Sequence, residues 1–393
     1  MDLPAANGET RRPTVVGLDV LRLFAALLVV SYHFLFFSWI EPVGHEGIRD
    51  AVNADIAFPG AVGFSWWGWI GVELFFVISG YVISMSAGRK TPIGFAIDRI
   101  VRLYPALLFF STCALVVVIG AGVSPVPIAV EHWIRAATLF PKGPWIDGVI
   151  WTLVIEAIFY FAIFTTLLCG GIARLPTLAR FGLAVTTGFW AMVMLSYFID
   201  LGDAGAVLRS LASAYASKVV LLTTGSFFLV GMFAYEIFER GVTRERVTYI
   251  LLAVLGSLAS IWHGAIRTEG VADFGGSPLL PMSIWLFATL LCGLAISVER
   301  RRPPGPRYRA LARRLGLITY PLYLMHNITG GWMMGRLRDA GTSMVMAATL
   351  AFIVCLAGSY LFAMFIEPPM QRLVRQWLSL APTPYARGSK EQG

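Results

Sequence analysis

The chain has 393 residues, a length that in a soluble protein would suggest two or three domains. It is 57% hydrophobic and only 14% charged, with a mean hydropathy of +0.71, whereas a soluble domain carries about 25% charged residues. A chain this apolar cannot cover its own surface in water, which excludes disorder, a secreted scaffold and a soluble enzyme. The net charge of +8 does not by itself indicate nucleic acid, because in a membrane protein basic residues first report topology.

A hydrocarbon core needs about 20 mostly apolar residues per helix. Runs of that size predict ten spans: 16–40, 66–86, 104–122, 149–169, 181–199, 218–238, 247–266, 281–298, 315–335 and 341–366. The predicted fold is therefore all-α and polytopic, with about ten transmembrane helices and both termini cytoplasmic. Under that alternation 22 of the 31 Lys and Arg residues fall on the inner side, eight fall outside, and Arg22 lies within the first span. The division expected is a cytoplasmic tail over 1–14, one membrane domain over 15–370 and a second cytoplasmic tail over 371–393. The first span follows two arginines but is too long for a signal peptide, carries Arg22 and lacks a small-residue cleavage site, so it reads as a retained helix. No repeat and no appended soluble domain is evident. The Arg- and Pro-rich segment 299–314 reads as an inner loop that anchors topology against anionic lipid. Cys113, Cys169, Cys292 and Cys355 lie in apolar runs with neither CxxC pairing nor His-supported metal spacing, which predicts free thiols and no disulfide framework.

Ionisable groups in hydrocarbon cost several kcal/mol, so each is a functional candidate. The first span, GLDVLRLFAALLVVSYHF, holds Arg22 and His33 eleven residues apart, about three turns, so both share one face about 16 Å apart along the axis. Asp19, one turn before Arg22, is placed to pair with it. Glu73 in the second span and Glu156 in the fourth each lie about seven residues from the outer edge, as does His33, and His326 is slightly deeper. A histidine beside carboxylates suits a general base acting on a hydroxyl; the alternative is a polar network joining helices. At the inner end of the third span, DRIVRLYP sets Arg99 and Arg102 one turn apart, a spacing that suits bidentate phosphate recognition or plain topological anchoring. In IEPPMQR, Glu367 falls at the cytoplasmic edge and Pro368 and Pro369 are expected to end the helix. Ten of the twelve tryptophans fall at or near the outer side. Either they form a one-sided interfacial belt, or Trp66, Trp69 and Trp151, with Tyr160 nearby, offer flat platforms to an outward-facing sugar.

Taken together these segments resemble acyltransferase family 3, the integral-membrane bacterial O-acyltransferases of polysaccharides, lipopolysaccharide and related glycans. The carriers are Arg22 with His33, GVELFFVISGYVIS (71–84), Arg99 with Arg102, WTLVIEAIFY (151–160), TYPLYLMH (319–326) and IEPPMQR, in family order over about 15–370. Glu73 stands where the family usually has Asp, and Asn327 is more polar than expected. The resemblance implies a multi-pass protein of the bacterial inner membrane that uses cytoplasmic acyl-CoA, usually acetyl-CoA, as donor. Arg22, Arg99 and Arg102 would hold CoA phosphates. His33 would deprotonate a hydroxyl of a glycan or lipid-linked glycan, and Glu73 or Glu156 would orient it. Direct attack needs no metal, nucleic acid is not an expected partner, and a covalent acyl-histidine is a variant. The rival readings are acylation of a small or lipid-soluble acceptor, a proton-coupled transporter and a structural subunit.

Overall fold

The computed structural model describes residues 15–268 and 275–380. The N-terminal tail 1–14 and most of the expected C-terminal tail, 381–393, lie outside the described residues. Fourteen helices of nine residues or more run in chain order among the described residues: α1 (Gly17–Tyr32), α2 (Ile70–Ala87), α3 (Pro92–Gly120), α4 (Val126–Ala137), α5 (Ile150–Gly170), α6 (Leu175–Phe198), α7 (Gly202–Ser213), α8 (Gly225–Arg240), α9 (Arg244–Ala265), α10 (Leu279–Arg301), α11 (Pro306–Met325), α12 (Gly331–Asp339), α13 (Met344–Leu361) and α14 (Glu367–Leu380). No strand occurs among the described residues, so the fold is all-α, as the composition indicated.

Eight of the ten expected spans are helices long and apolar enough to cross a membrane. The other two are helical but differ for local reasons. The stretch expected at 218–238 yields α8, of only 16 residues, because the chain turns at Val220–Thr224 before the helix begins. The stretch expected at 315–335 belongs to a longer helical run that starts at Pro306, so its first turns carry Arg307, Arg309, Arg313 and Arg314. The segment 299–314 is thus mostly helix, with only a short break after Arg301. Similarly, α3 starts at Pro92, with Thr91 accepting from the Gly94 amide as its cap, so Arg99 and Arg102 lie two to three turns inside the helix and Pro105 is internal.

The second span is the centre of the bundle: its apolar window is 67% buried, against 28–44% for the other seven. Its glycines explain how it packs. A Cβ on Gly80 would sit 2.0 Å from the Phe228 carbonyl oxygen, and one on Gly231 2.1 Å from that of Val77, so α2 and α8 cross backbone to backbone. Gly71 approaches the Ala25 carbonyl of α1 in the same way. Between helices in lipid, where burial of apolar surface supplies little drive, such close approach is the main source of association. Outward, Val116, Phe181, Leu255, Phe287 and Leu294 stay exposed, an apolar girdle suited to lipid. The start of α1 is clasped from α10: the Glu299 carboxylate accepts from the Val16 and Gly17 amides at 2.8 and 2.6 Å, placing a negative charge at a helix N-terminus.

Among the described residues, three helices run on into a π turn. These turns are His33–Phe37 after α1, His326–Gly330 after α11 and Phe362–Ile366 after α13. Each adds a residue and rotates the downstream side chains without breaking the helix. The last one also leads into the double proline. Pro368 and Pro369 come after the π turn Phe362–Ile366 and Glu367, and the helix runs through them to Leu380, past the end that the sequence predicted.

The glycine contacts give a direct test. Gly231→Ala is expected to lower stability by about 1–3 kcal/mol, read as a lower thermal midpoint in detergent. Gly293→Ala, where nothing lies within 4 Å, is expected to leave the midpoint unchanged or raise it slightly.

Candidate active site

The candidate residues gather around a pair of cavities in the bundle, one lined by arginines and one by histidines. The first, of about 540 Å³, is lined by Asp19 and Arg22 of α1, Ser79 of α2, Arg99 and Arg102 of α3, Glu156 and Tyr160 of α5, Arg313 and Tyr320 of α11, and Gln371 of α14. Four guanidinium groups therefore converge from three helices. Arg22 is held by Asp19 at 2.9 Å, as the spacing predicted. Gly316 of α11 makes room for that aspartate: a Cβ there would fall 2.7 Å from the Asp19 Cβ. Arg102 lies 3.5 Å from Glu367 and over the Tyr320 ring, and Arg99 lies over Phe95 and Tyr160. The buried Arg99 Nε has no protein partner among the described residues. Apolar side chains, including Leu18, Phe75, Phe76 and Val82, complete the walls.

The second cavity, of about 490 Å³, is lined by Tyr32, His33 and Phe37 at the far end of the first span, by Trp69 and Glu73, and by Trp151, Trp190, Lys218, His263 and Asn327. Lys218 lies over the Trp151 ring, 4.5 Å from its centroid. His263 joins Tyr197 and Ser213 at 2.9 and 3.1 Å, tying α7 to α6 and α9 beside the cavity. Five buried atoms of its lining residues lack a protein partner among the described residues: Trp69 Nε1, Glu73 Oε2, Trp190 Nε1, Thr223 Oγ1 and Asn327 Oδ1. Buried polar atoms are normally satisfied, so these are groups that a hydroxyl-bearing ligand or water would serve. Val72 and Tyr323 line both cavities and form the wall between them.

At that wall stands a pair of imidazoles. His33 Nδ1 is 2.9 Å from the Val29 carbonyl, His326 Nδ1 is 3.2 Å from the Leu322 carbonyl, and His326 Nε2 is 3.2 Å from His33 Nδ1. The rings meet edge to face at 4.9 Å, and the Tyr323 ring packs against both His326 and Phe75. The π turn at His326 is pinned from a loop: the buried Asp147 accepts from Asn327 Nδ2 at 2.7 Å and from the Ile328 and Val149 amides. This is the use of the polar Asn327 that the sequence left unexplained.

Sequence reasoning placed His33, Glu73, Glu156 and His326 in one cluster. The structure brings His33 and His326 into contact and sets Glu73 in the same cavity. Glu156 is elsewhere: its carboxylate accepts from Ser79 Oγ at 2.6 Å and Tyr160 OH at 2.5 Å, and it lines the arginine cavity. Tyr160 accordingly belongs with Arg99 rather than with the tryptophans. Trp69 and Trp151 do line the histidine cavity, but Trp66 is 2% exposed in a core with Phe36, Val62 and Ala265 and lines neither. Depth along a helix was legible; the direction a side chain faces was not, and it separates Glu156 from Glu73. The groups missed were Arg313 and Lys218, which had been counted only as topological charges, and Asp147, Tyr323 and His263. The one available signal was Tyr323, one turn before His326.

Burial lifts the Asp147 carboxyl to about 6, against the lowering effect of the Asn327 side chain and the two backbone donors. Its unfolded value is 3.8, so folding favours the protonated form. The stability this group contributes is full below about pH 4 and is lost as pH rises through about 6, a change on the order of 3 kcal/mol. The thermal midpoint in detergent is expected to fall across that window, and Asp147→Asn is expected to remove this component.

These features define an α-helical membrane protein with a cationic cavity and an imidazole-bearing cavity meeting at a shared wall. The acyltransferase domain model, acyltransferase 3, matches residues 15–364, and the chain belongs to that family. Among curated relatives, it is 26% identical to the exopolysaccharide production protein ExoZ of Rhizobium meliloti (strain 1021), over 63% of this chain and 92% of that protein. It is 30% identical to the putative peptidoglycan O-acetyltransferase YrhL of Bacillus subtilis (strain 168), over 37% of this chain and 22% of that protein. No solved structure matches the chain. The protein is a multi-pass membrane acyltransferase.

Proposed function

We propose that the protein moves an acyl group, acetyl first, from cytoplasmic acyl-CoA to a hydroxyl of a cell-surface or exported glycan, with both termini in the cytoplasm and the domain in the bacterial inner membrane. The observation that carries this reading is the back-to-back placement of the two cavities at Val72 and Tyr323, with guanidinium groups lining one and His33, backed by His326, lining the other. Four arginines from three helices suit the phosphates of CoA, since guanidinium forks pair with phosphate oxygens bidentately. The apolar walls suit the pantetheine arm. The arginine cavity lies towards the basic end of the first span and the histidine cavity towards its other end, which supports the donor entering from inside and the acceptor from outside. Trp69, Trp151 and the unpaired buried polar atoms suit a ring rich in hydroxyls. The printed names of ExoZ and YrhL point towards surface glycans.

The chemistry follows from the free nitrogen of His33. With Nδ1 committed to the Val29 carbonyl, Nε2 is the basic position. Nε2 takes the proton of the acceptor hydroxyl as its oxygen attacks the thioester carbonyl. The C–S bond then breaks, an ester remains on the acceptor, and the CoA thiolate takes the proton from Nε2. The thioester reaches His33 by passing between Val72 and Tyr323.

Purified protein is expected to release CoA from acetyl-CoA when supplied with envelope glycan extracted from a strain lacking the gene. His33→Ala is expected to lower kcat by at least about 10²-fold, and transfer at the wild-type rate would sink the mechanism. Arg22→Ala is expected to raise the KM for acetyl-CoA about tenfold or more, and an unchanged KM would remove the phosphate role.

A further inference from the structure

The sequence suggested that a carboxylate orients His33. The geometry points to a different partner: we infer that His326 is the positioning residue for His33, holding its proton on Nδ1 through a chain of two imidazoles that ends on backbone carbonyls. This inference rests on His33 being the base and adds what keeps it in the productive form.

The tautomers are set by the chemistry of each neighbour. A carbonyl oxygen only accepts, so the 3.2 Å contact of His326 Nδ1 with Leu322 requires a proton on that nitrogen. A neutral imidazole carries one proton, so His326 Nε2 is a bare acceptor. The Val29 carbonyl 2.9 Å from His33 Nδ1 likewise requires a proton there. That N–H is shared between the Val29 oxygen and His326 Nε2, and the remaining lone pair of His33 lies on Nε2. The Leu322 carbonyl thus fixes the tautomer of His326, and His326 Nε2 and the Val29 carbonyl together hold the His33 proton on Nδ1.

Among the described residues no carboxylate competes for this role. The Glu156 oxygen that accepts from Ser79 and Tyr160 lies in the arginine cavity, and no hydrogen bond or ion pair joins Glu73 to His33. His326 is fully buried and sits on a π turn fastened by Asp147 to Asn327 and Ile328, so its ring is held from two sides. A buried neutral acceptor also costs less to maintain beside the imidazole in hydrocarbon than a carboxylate. When His33 takes the acceptor proton, its Nδ1–H turns into a charge-assisted donor to the Val29 carbonyl and His326 Nε2, which spreads the imidazolium charge over both rings.

The test uses two substitutions that keep polarity and differ in reach. In His326→Gln the carboxamide falls near the position of Nε2 and can accept from His33 Nδ1. In His326→Asn it falls near Nδ1 and leaves that position empty. With acetyl-CoA and the envelope glycan extract, the Gln variant is expected within about tenfold of wild-type kcat and the Asn variant down by on the order of 10²-fold, with the KM for acetyl-CoA unchanged in both. The His33→Ala and His326→Asn losses are expected not to add in the double variant. Equal losses in Gln and Asn, an Asn variant more active than Gln, wild-type kcat in both, or a change confined to KM would each overturn the inference. The single His33→Ala variant separates outcomes: if it is inactive and the His326 pattern fails, His33 remains the base and only its partner is wrong.

Discussion

In hydrocarbon a helix cannot open without leaving backbone amides and carbonyls unpaired, so a membrane-embedded site has to be built from helices that stay continuous. The π turn is the device this chain uses. It admits one extra residue and re-aims the side chains beyond it while the hydrogen-bonded ladder persists. His33 and His326 each open such a turn, and Glu367 comes directly after the third. The two imidazoles keep the α-helical positions set by α1 and α11, each with its backbone amide on the carbonyl four residues back, and they meet at the wall between the cavities. What the turns re-aim lies beyond them, Asn327 towards Asp147 after α11 and Glu367 towards Arg102 after α13.

The close crossings of α2 set the frame that the turns act upon. Gly80 and Gly231 let α8 approach, and Gly71 lets α1 approach, so Val72, Glu73 and Phe76 are presented at fixed distances on either side of α2. One helix therefore contributes to both cavities: Ser79 to the cationic side, Glu73 to the imidazole side, and Val72 to both. The separation of the cationic cavity from the imidazole cavity follows from which face of α2 each side chain occupies.

Much of this was legible in the sequence because it depended on position along a helix. The apolar runs located the eight long spans, and the eleven-residue interval between Arg22 and His33 put a guanidinium and an imidazole at opposite ends of one face. Aspartate one turn before arginine gave the Asp19–Arg22 pair. What failed depended on rotation about the helix axis or on contacts between helices. Glu156 and Glu73 lie at similar depth but open into different cavities, and Trp66 and Trp69, three residues apart, divide between core and cavity. The sequence put His33 and His326 in one cluster, but their direct ring contact depends on how α1 packs on α11 and could not be read, nor could the use of Arg313, which looked like one more inner charge. The double proline misled because the helix runs on through Pro368 and Pro369 after a π turn that the sequence did not reveal.

The Glu299 clasp has a consequence for how the protein is made. α1 leaves the ribosome before the other described helices and presents amides at its start that are satisfied by a carboxylate 282 residues later in the chain. Its histidine waits longer still, because His326 lies 293 residues beyond His33. The helix that carries both Arg22 and His33 is therefore inserted before its partners exist. Until most of the chain is in the bilayer, neither the arginine cavity nor the imidazole pair is formed, so a truncated or stalled chain would hold the arginine and the histidine without the groups that surround them.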